Sequence, residues 1–369
     1  MKYYLIAGEA SGDLHGAGLM REIKKIDTLA EFRFWGGDLM EAEGGTQVNH
    51  YKERSYMGFI EILSHLPQVF TNISKCKKDI AQFAPDKVIF IDYAGFNMRI
   101  APFVKALGIE THFFISPKIW AWNVKRVEKI KKHIDRMYTI FPFEVDFYLK
   151  YGYDKAVYVG NPLKDHINAF KINPDFKTQH DLDDRPIVSI LAGSRNQEID
   201  RMLPIMLSVC NYYPEYQFVI AAAPSYHSEY YKKFINDEPV KLIYNQTYDL
   251  LAVSHAAMVT SGTATLETAL FGVPQVVCYK TSSINYYFAK RLIKVKFISL
   301  VNLIMDREVV KELIQDDLNY LILRAELDKI LHGSKNRKIL LDDYNHLQNV
   351  LGSKGASKKT AQYICKPIN

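Results

Sequence analysis

The sequence predicts an α/β protein made of two consecutive doubly wound domains, each a mostly parallel sheet covered by helices. Three observations carry this. Short apolar runs rich in aliphatic and aromatic residues alternate with amphipathic segments. The alternation pauses at a polar stretch and then restarts. Several apolar runs end in glycine-bearing polar loops that open a helix, the turn at which such sheets gather ligands. The length of 369 residues suits two cores of about 150 to 200 residues each.

Taken in order, strands are expected at Tyr3 to Ala7, Phe32 to Trp35, Lys87 to Ile91, Glu110 to Ile115, Arg136 to Ile140 and Ala156 to Val159. Amphipathic segments such as Leu14 to Lys25 and Asn97 to Leu107 lie between them. Pro174, Pro186 and several aspartates mark Asn173 to Arg185 as a linker or domain edge. The rhythm resumes with Ile187 to Leu191, Phe218 to Ala222, Lys241 to Tyr244, Ala256 to Thr260 and Gln275 to Tyr279. Beyond Lys294, Asp306 to Leu331 and Asn336 to Leu351 read as packing helices, followed by a hinge-like Gly/Ser/Lys stretch and a last short helix. The expected domains are therefore 1–170, 171–335 and a helical segment 336–369 that packs back on the fold.

Composition removes several classes of function. With 48% hydrophobic and 24% charged residues, the chain buries enough apolar surface to fold throughout. Its net charge of +6 favours anionic ligands or an anionic membrane face but is too small and dispersed to argue for nucleic acid. Cys76, Cys210, Cys278 and Cys365 are widely spaced, so neither a zinc site nor a disulfide framework is expected. The start lacks the pattern of a signal peptide and no apolar run is long enough to span a bilayer. A reducing cytoplasm fits, with any membrane contact peripheral.

The chemistry concentrates at strand ends. After Ile187 to Leu191 comes Gly193-Ser194-Arg195 at the mouth of a helix, offering backbone N–H groups, a hydroxyl and a guanidinium to one anion. Ser261-Gly262-Thr263 repeats the arrangement, with Glu267 one turn into its helix as an acceptor for ribose hydroxyls or a capping residue. Two such loops in one domain point to a nucleoside diphosphate. In the first domain, Asp92 ends a hydrophobic strand and is either a crevice base with a raised pKa or a helix N-cap. Glu9, in the loop Gly8 to Asp13, would share its rim. The run Met57 to Phe70 has more apolar residues than one helix face requires, and is either buried or lies on lipid.

AGEASGD, MGFIEIL, IDYAGFN, ISPKIWAW, FPFE, VGNPL, LAGSRNQEI, SGTATLE and SLVNLI, in this order between Ala7 and about Glu312, resemble the lipid A disaccharide synthases, glycosyltransferases of endotoxin assembly. The resemblance implies a GT-B fold, two Rossmann-like domains facing a central cleft. It also implies an inverting, metal-independent and cofactor-free transfer of 2,3-diacylglucosamine from UDP to the 6-hydroxyl of 2,3-diacylglucosamine 1-phosphate, giving a β-1,6 bond. By the same resemblance Asp92 is the general base and Glu9 an essential acid. Gly193, Ser194, Arg195, Ser261, Gly262, Thr263 and Glu267 hold the nucleotide, and Ser11 and Asn302 belong to the acceptor or reaction side. Relatives carry a proline and a second aspartate where Ala94 and Gly95 stand, and a proline at Val301, so Asp92 alone is left to move the proton.

Lipid-tailed substrates turn the apolar run into a membrane patch of Phe59, Ile60, Ile62, Leu63, Leu66 and Phe70, helped by Lys290, Arg291, Lys294 and Lys296. The expected partners are the two lipid-tailed substrates and an anionic membrane surface, on the cytoplasmic face of the inner membrane. A homodimer is left open and no nucleic acid is expected. Another GT-B enzyme, such as a UDP-GlcNAc transferase or epimerase, is the alternative. A dehydrogenase is disfavoured because neither domain has GxGxxG with an acid about 20 residues on.

Overall fold

The computed structural model describes all residues except 55–65, 224–225, 236–238, 284–285, 288–290, 292–294, 353 and 367–369. The chain forms two compact units. The first comprises residues up to Pro162 together with the stretch after Gly352, and the second runs from Leu163 to Gly352. This differs from the expected limits at 170 and 335. The helix Lys335–Val350 stays with the second unit, whereas Ala356–Ile364 returns to the first.

In the first unit seven parallel strands, β1 (Lys2–Ala7), β2 (Glu31–Gly36), β3 (Thr46–His50), β4 (Lys87–Ile91), β5 (Glu110–Phe114), β6 (Arg136–Thr139) and β7 (Ala156–Tyr158), lie in the order β3-β2-β1-β4-β5-β6-β7. Side chains alternate across a strand, so one strand feeds two cores. From β1, Tyr4 and Ile6 join one cluster with Trp35 and Phe90, while Tyr3, Leu5 and Ala7 join another with Leu19 and Phe114. Burial on both faces is why β1 reads as an unbroken apolar run. The helix Ala356–Ile364 seats Ala356, Ala361 and Ile364 in the second cluster beside Met20 and Ile23 of the helix Ala10–Ile26. Gly18 permits that approach, since a Cβ there would lie 3.2 Å from Ser357 Oγ.

In the second unit β8 (Ile187–Leu191), β9 (Gln217–Ala222), β10 (Val240–Tyr244), β11 (Ser254–Thr260), β12 (Gln275–Tyr279) and β13 (Lys311–Ile314) are again parallel, in the order β10-β9-β8-β11-β12-β13. Two edge strands depart from expectation. TQVNH at β3 carries too few apolar residues to announce a strand. KELI at β13 interrupts the stretch Asp306 to Leu331, which was expected to be helical and forms a helix only over Tyr320–Leu331. The expected linker Asn173 to Arg185 instead packs, with Phe176 fully buried in a cluster with Val219 and Leu250.

Both sheets reverse their strand order once, between β1 and β4 and between β8 and β11. Such a reversal leaves a crevice beyond the carboxyl ends of the two central strands, where ligands bind in open α/β sheets. The loops after β1, β4, β8 and β11, which carry Glu9, Asp92, Arg195 and Thr263, emerge at these two points.

Candidate active site

At the β1/β4 reversal, the two loops interlock through a tyrosine. Tyr93 follows β4 and lays its ring on Gly8, where a Cβ would stand 2.2 Å from the ring. Only glycine fits there. Tyr93 also stacks on Phe96, with centroids 5.5 Å apart. Asp92 and Tyr93 both adopt left-handed backbone conformations, with φ of 43° and 46°, a cost of about 1–3 kcal/mol per residue that the surroundings must offset. The Asp92 N–H donates to the Phe114 carbonyl (3.0 Å), and the buried Asn97 amide donates to the Asp92 carbonyl (2.8 Å).

The distorted backbone turns Asp92 out of line with the strand, and its side chain touches solvent, as a base that must reach a substrate has to. Its pKa is raised above the ordinary carboxylate value, mainly by desolvation. The Glu9 charge adds to the rise, while Lys118 and a hydrogen bond from the Tyr93 backbone oppose it. Glu9 is exposed and forms the N-cap of Ala10–Ile26, with Ser11 exposed in the first turn. Asp92, Glu9 and Ser11 thus share one rim.

Asp13, in the same opening loop, works differently. It is buried, and its carboxylate accepts the N–H groups of Gly37 (2.7 Å), Leu39 (3.0 Å) and Met40 (3.1 Å), capping the short helix Asp38–Ala42.

Glu144 of FPFE is a feature the motif order alone did not reveal. It is wholly buried, and its carboxylate accepts the Trp120 indole N–H (3.1 Å) and the N–H groups of Ile140 (3.2 Å) and Phe141 (3.1 Å). Burial pushes its pKa up to about 7 despite these donors. It ties the ISPKIWAW loop to the loop after β6.

At the β8/β11 reversal, Gly193 has φ of 108°, and a Cβ there would come within 2.5 Å of Glu198 Oε2. That oxygen accepts the N–H groups of Ser194 (3.0 Å) and Arg195 (3.3 Å). The two donors expected to be open for an anion are therefore already held by the third residue of their own helix, which folds back as a capping carboxylate. The Arg195 guanidinium stays largely open, with 76% of the side chain exposed and the nearest Glu198 oxygen 3.7 Å away. Tyr279, at the end of β12, lies close enough to feel both charges.

Across the reversal, Gly262 and Thr263 are exposed at the start of Thr263–Leu270, a helix that no side chain caps. Ser261 Oγ donates to the Ile298 carbonyl (2.9 Å), and Tyr248 donates to Glu267 Oε1 (2.9 Å). Desolvation raises the Glu267 pKa against the pull of that hydrogen bond.

Asn302, which the resemblance assigns to the acceptor or reaction side, makes its side-chain contacts with the chain itself. It is wholly buried, its Oδ1 accepts Val309 N–H (2.7 Å) and Val310 N–H (2.9 Å), and its Nδ2 donates to the Val310 carbonyl (2.9 Å) and Glu312 Oε1 (2.8 Å). Every hydrogen-bonding position of the amide is spent on the chain itself. Glu312 also accepts the N–H groups of Ile298 and Ser299, so Asn302 and Glu312 together pin the loop that braces Ser261.

Of the apolar patch, Phe59, Ile60, Ile62 and Leu63 lie outside the described residues, as does the side chain of Leu66. Phe70 is 63% exposed on the helix Leu66–Phe83. Lys290 and Lys294 also lie outside them, while Arg291 and Lys296 are exposed. Among the described residues no helix is long and apolar enough to cross a membrane, and no cluster of three or more His, Cys, Asp or Glu could hold a metal ion.

Two parallel α/β units with polar loops at both strand-order reversals define a protein of the GT-B class. Solved structures agree in fold. A UDP-GlcNAc 2-epimerase from Neisseria meningitidis bound to UDP-GlcNAc superposes with a TM-score of 0.68 at 16% identity, covering 99% of each chain. The glycotransferase of kitacinnamycin gives 0.67 at 11% identity, covering 98% of each. The family model for lipid-A-disaccharide synthetase matches residues 3–365, and the chain belongs to that family. Relatives named lipid-A-disaccharide synthase include those of Geobacter metallireducens, 36% identical over 99% of this chain and 96% of its own, and Syntrophus aciditrophicus, 37% identical over 97% and 95%. The chain is accordingly an enzyme, a glycosyltransferase of lipid A biosynthesis.

Proposed function

We propose that the enzyme transfers 2,3-diacylglucosamine from UDP to the 6-hydroxyl of 2,3-diacylglucosamine 1-phosphate with inversion, giving the β-1,6-linked disaccharide 1-phosphate and UDP. The observation that carries this is Asp92, a solvent-touching carboxylate of raised pKa held on a strained turn at a strand-order reversal, in a chain of this family. The acceptor's O6–H proton passes to Asp92 as O6 attacks the anomeric carbon, and the bond from that carbon to the UDP oxygen breaks. Glu9 raises the basicity of Asp92 and polarises the same rim.

Charge builds on the departing diphosphate. The Arg195 guanidinium, the open helix start at Gly262 and Thr263, and the donors that Glu198 can release would stabilise it without a metal. Glu267, one turn inside that helix, would accept from ribose hydroxyls. Asn302 acts at a distance, by holding the loop behind Ser261.

Substrates with acyl chains require the enzyme to work at a lipid surface. We place it on the cytoplasmic face of the inner membrane, through the apolar run that ends at Phe70 and the exposed basic residues Arg291 and Lys296. The direct test is incubation with UDP-2,3-diacylglucosamine and 2,3-diacylglucosamine 1-phosphate in neutral detergent containing a chelator, with mass analysis of the products. A disaccharide 1-phosphate formed in step with UDP supports the reading. Its absence, with turnover of UDP-GlcNAc to an epimer or a different glycoside, refutes it.

A further inference from the structure

A cavity of about 160 Å³ opens in the first unit beyond the carboxyl ends of β4 and β5, lined in part by Ala94, Gly95, Arg99, Arg126, Lys129 and Ile130. It takes no ionisable side chain except the three cations. None of those cations forms an ion pair among the described residues, whereas Lys105, on the helix of Arg99, pairs with Asp135, and Lys131, on the helix of Lys129, pairs with Glu128. Two of them are held in place by other means. The Arg126 guanidinium lies 4.3 Å from the centre of the Trp122 ring, and Arg99 donates to the Gly95 carbonyl (2.7 Å). The helix Ala94–Ala106 begins at this cavity with no side-chain cap, so its positive end adds to the field. Three cations with no carboxylate partner around one open recess make a field that favours an anion there.

The cavity starts two residues beyond Asp92, so the Cα atoms of Asp92 and Ala94 are at most about 8 Å apart. We propose that Arg99, Arg126 and Lys129 bind the phosphate monoester of the acceptor. The inference rests on the acceptor assigned above. In that molecule one pyranose ring separates the reacting 6-hydroxyl from the 1-phosphate, so a hydroxyl presented to Asp92 places the phosphate about one ring's width away. The cavity is the cationic recess at that position. Arg126 and Arg99 offer forked donors to the phosphate oxygens, and Lys129 supplies a point charge. Acceptor choice is then made by charge: a sugar without the phosphate leaves three cations unpaired.

The test uses the full-length enzyme in neutral detergent with Arg126→Gln, Lys129→Gln and the double variant. Wild-type turnover of the phosphorylated acceptor is the control, and its absence would refute the assigned reaction rather than the phosphate site. Given that control, KM for the phosphorylated acceptor is expected to rise about tenfold in each single variant and about a hundredfold in the double. KM for the UDP-sugar should hold, and kcat/KM for an acceptor lacking the 1-phosphate should be the same in wild type and variants. Equal losses on both acceptors, or an unchanged acceptor KM, overturn the proposal. A phosphate on a bilayer lipid would offer the same chemistry, so binding to phosphatidylglycerol vesicles is measured in parallel. Variants that lose vesicle binding but keep the acceptor KM show that the cations serve the membrane, which also overturns it.

Discussion

Glu144→Gln offers a measurement whose size follows from the structure. The Glu144 carboxyl is wholly buried, and its pKa of about 7 lies well above the 4.5 of an open glutamate. A raised folded-state value means that the stability it contributes is fully present below pH 4.5 and is lost as pH rises through about 7. At about 1.4 kcal/mol per pH unit, that gap corresponds to about 3 kcal/mol. Glutamine keeps one acceptor oxygen for the Ile140 and Phe141 N–H groups but turns a donor toward Trp120 N–H, so E144Q should start about 1 kcal/mol less stable at pH 5. From there the wild type declines relative to it, and by pH 8.5 the order reverses.

Urea unfolding followed by tryptophan fluorescence reads this directly, because Trp35, Trp120 and Trp122 are the only tryptophans and all belong to the first unit. About 2.5 kcal/mol of that contribution remains to be lost above pH 5, so with a denaturant slope of about 2–3 kcal/mol/M the difference between the two midpoints should change by about 0.8–1.3 M between pH 5 and 8.5. Midpoints that run parallel across that range would show that Glu144 does not titrate there, and the burial argument would fail.

Four further outcomes are expected. Asp92→Asn should lower kcat by about 10²- to 10⁴-fold while calorimetric titration with UDP is unchanged, and in the wild type the acid limb of kcat/KM should lie above the ordinary aspartate pKa because Asp92 is raised. Near-normal turnover in that variant would remove Asp92 as the base. Arg195→Ala should weaken UDP binding about tenfold, with an unchanged titration counting against its contact with the diphosphate. Asn302→Ala leaves the Val309 and Val310 N–H groups and the Val310 carbonyl without their side-chain partner and should cost about 2–4 kcal/mol, read as faster amide exchange across residues 298–314; unaltered exchange would deny it the bracing role. Polar replacement of Phe59, Ile62 and Leu63 should release the enzyme from anionic vesicles at an unchanged melting temperature, whereas melting or aggregation would make that run part of a core.

Much of this protein was legible before any fold was known. The central strands were visible because burial on both faces leaves almost no polar positions, as in Tyr3 to Ala7 and in Ile187 to Leu191, where only Ser189 is polar and its hydroxyl donates to the Ala256 carbonyl. The edge strands β3 and β13 were not, because one paired side and an open rim allow TQVNH and KELI to look like loop or helix. Glycine positions told where something approaches closely, but not what. At Gly8 it is the Tyr93 ring and at Gly193 the Glu198 carboxylate, contacts made across the sheet or around a helix turn.

That Glu9, Asp92, Arg195 and Glu267 stand at strand ends or helix starts was legible in the order of motifs, since those positions follow from local chain direction. Only tertiary structure decided how neighbouring residues of the same motifs divide their labour. Asp13, four residues from Glu9, caps a helix; Asn302 spends its whole amide on backbone and Glu312; Glu198 closes the N–H groups that the GSR loop seemed to leave open. Hydrogen-bond capacity is finite, and which partner takes it depends on where distant segments pack, which spacing along a chain does not encode.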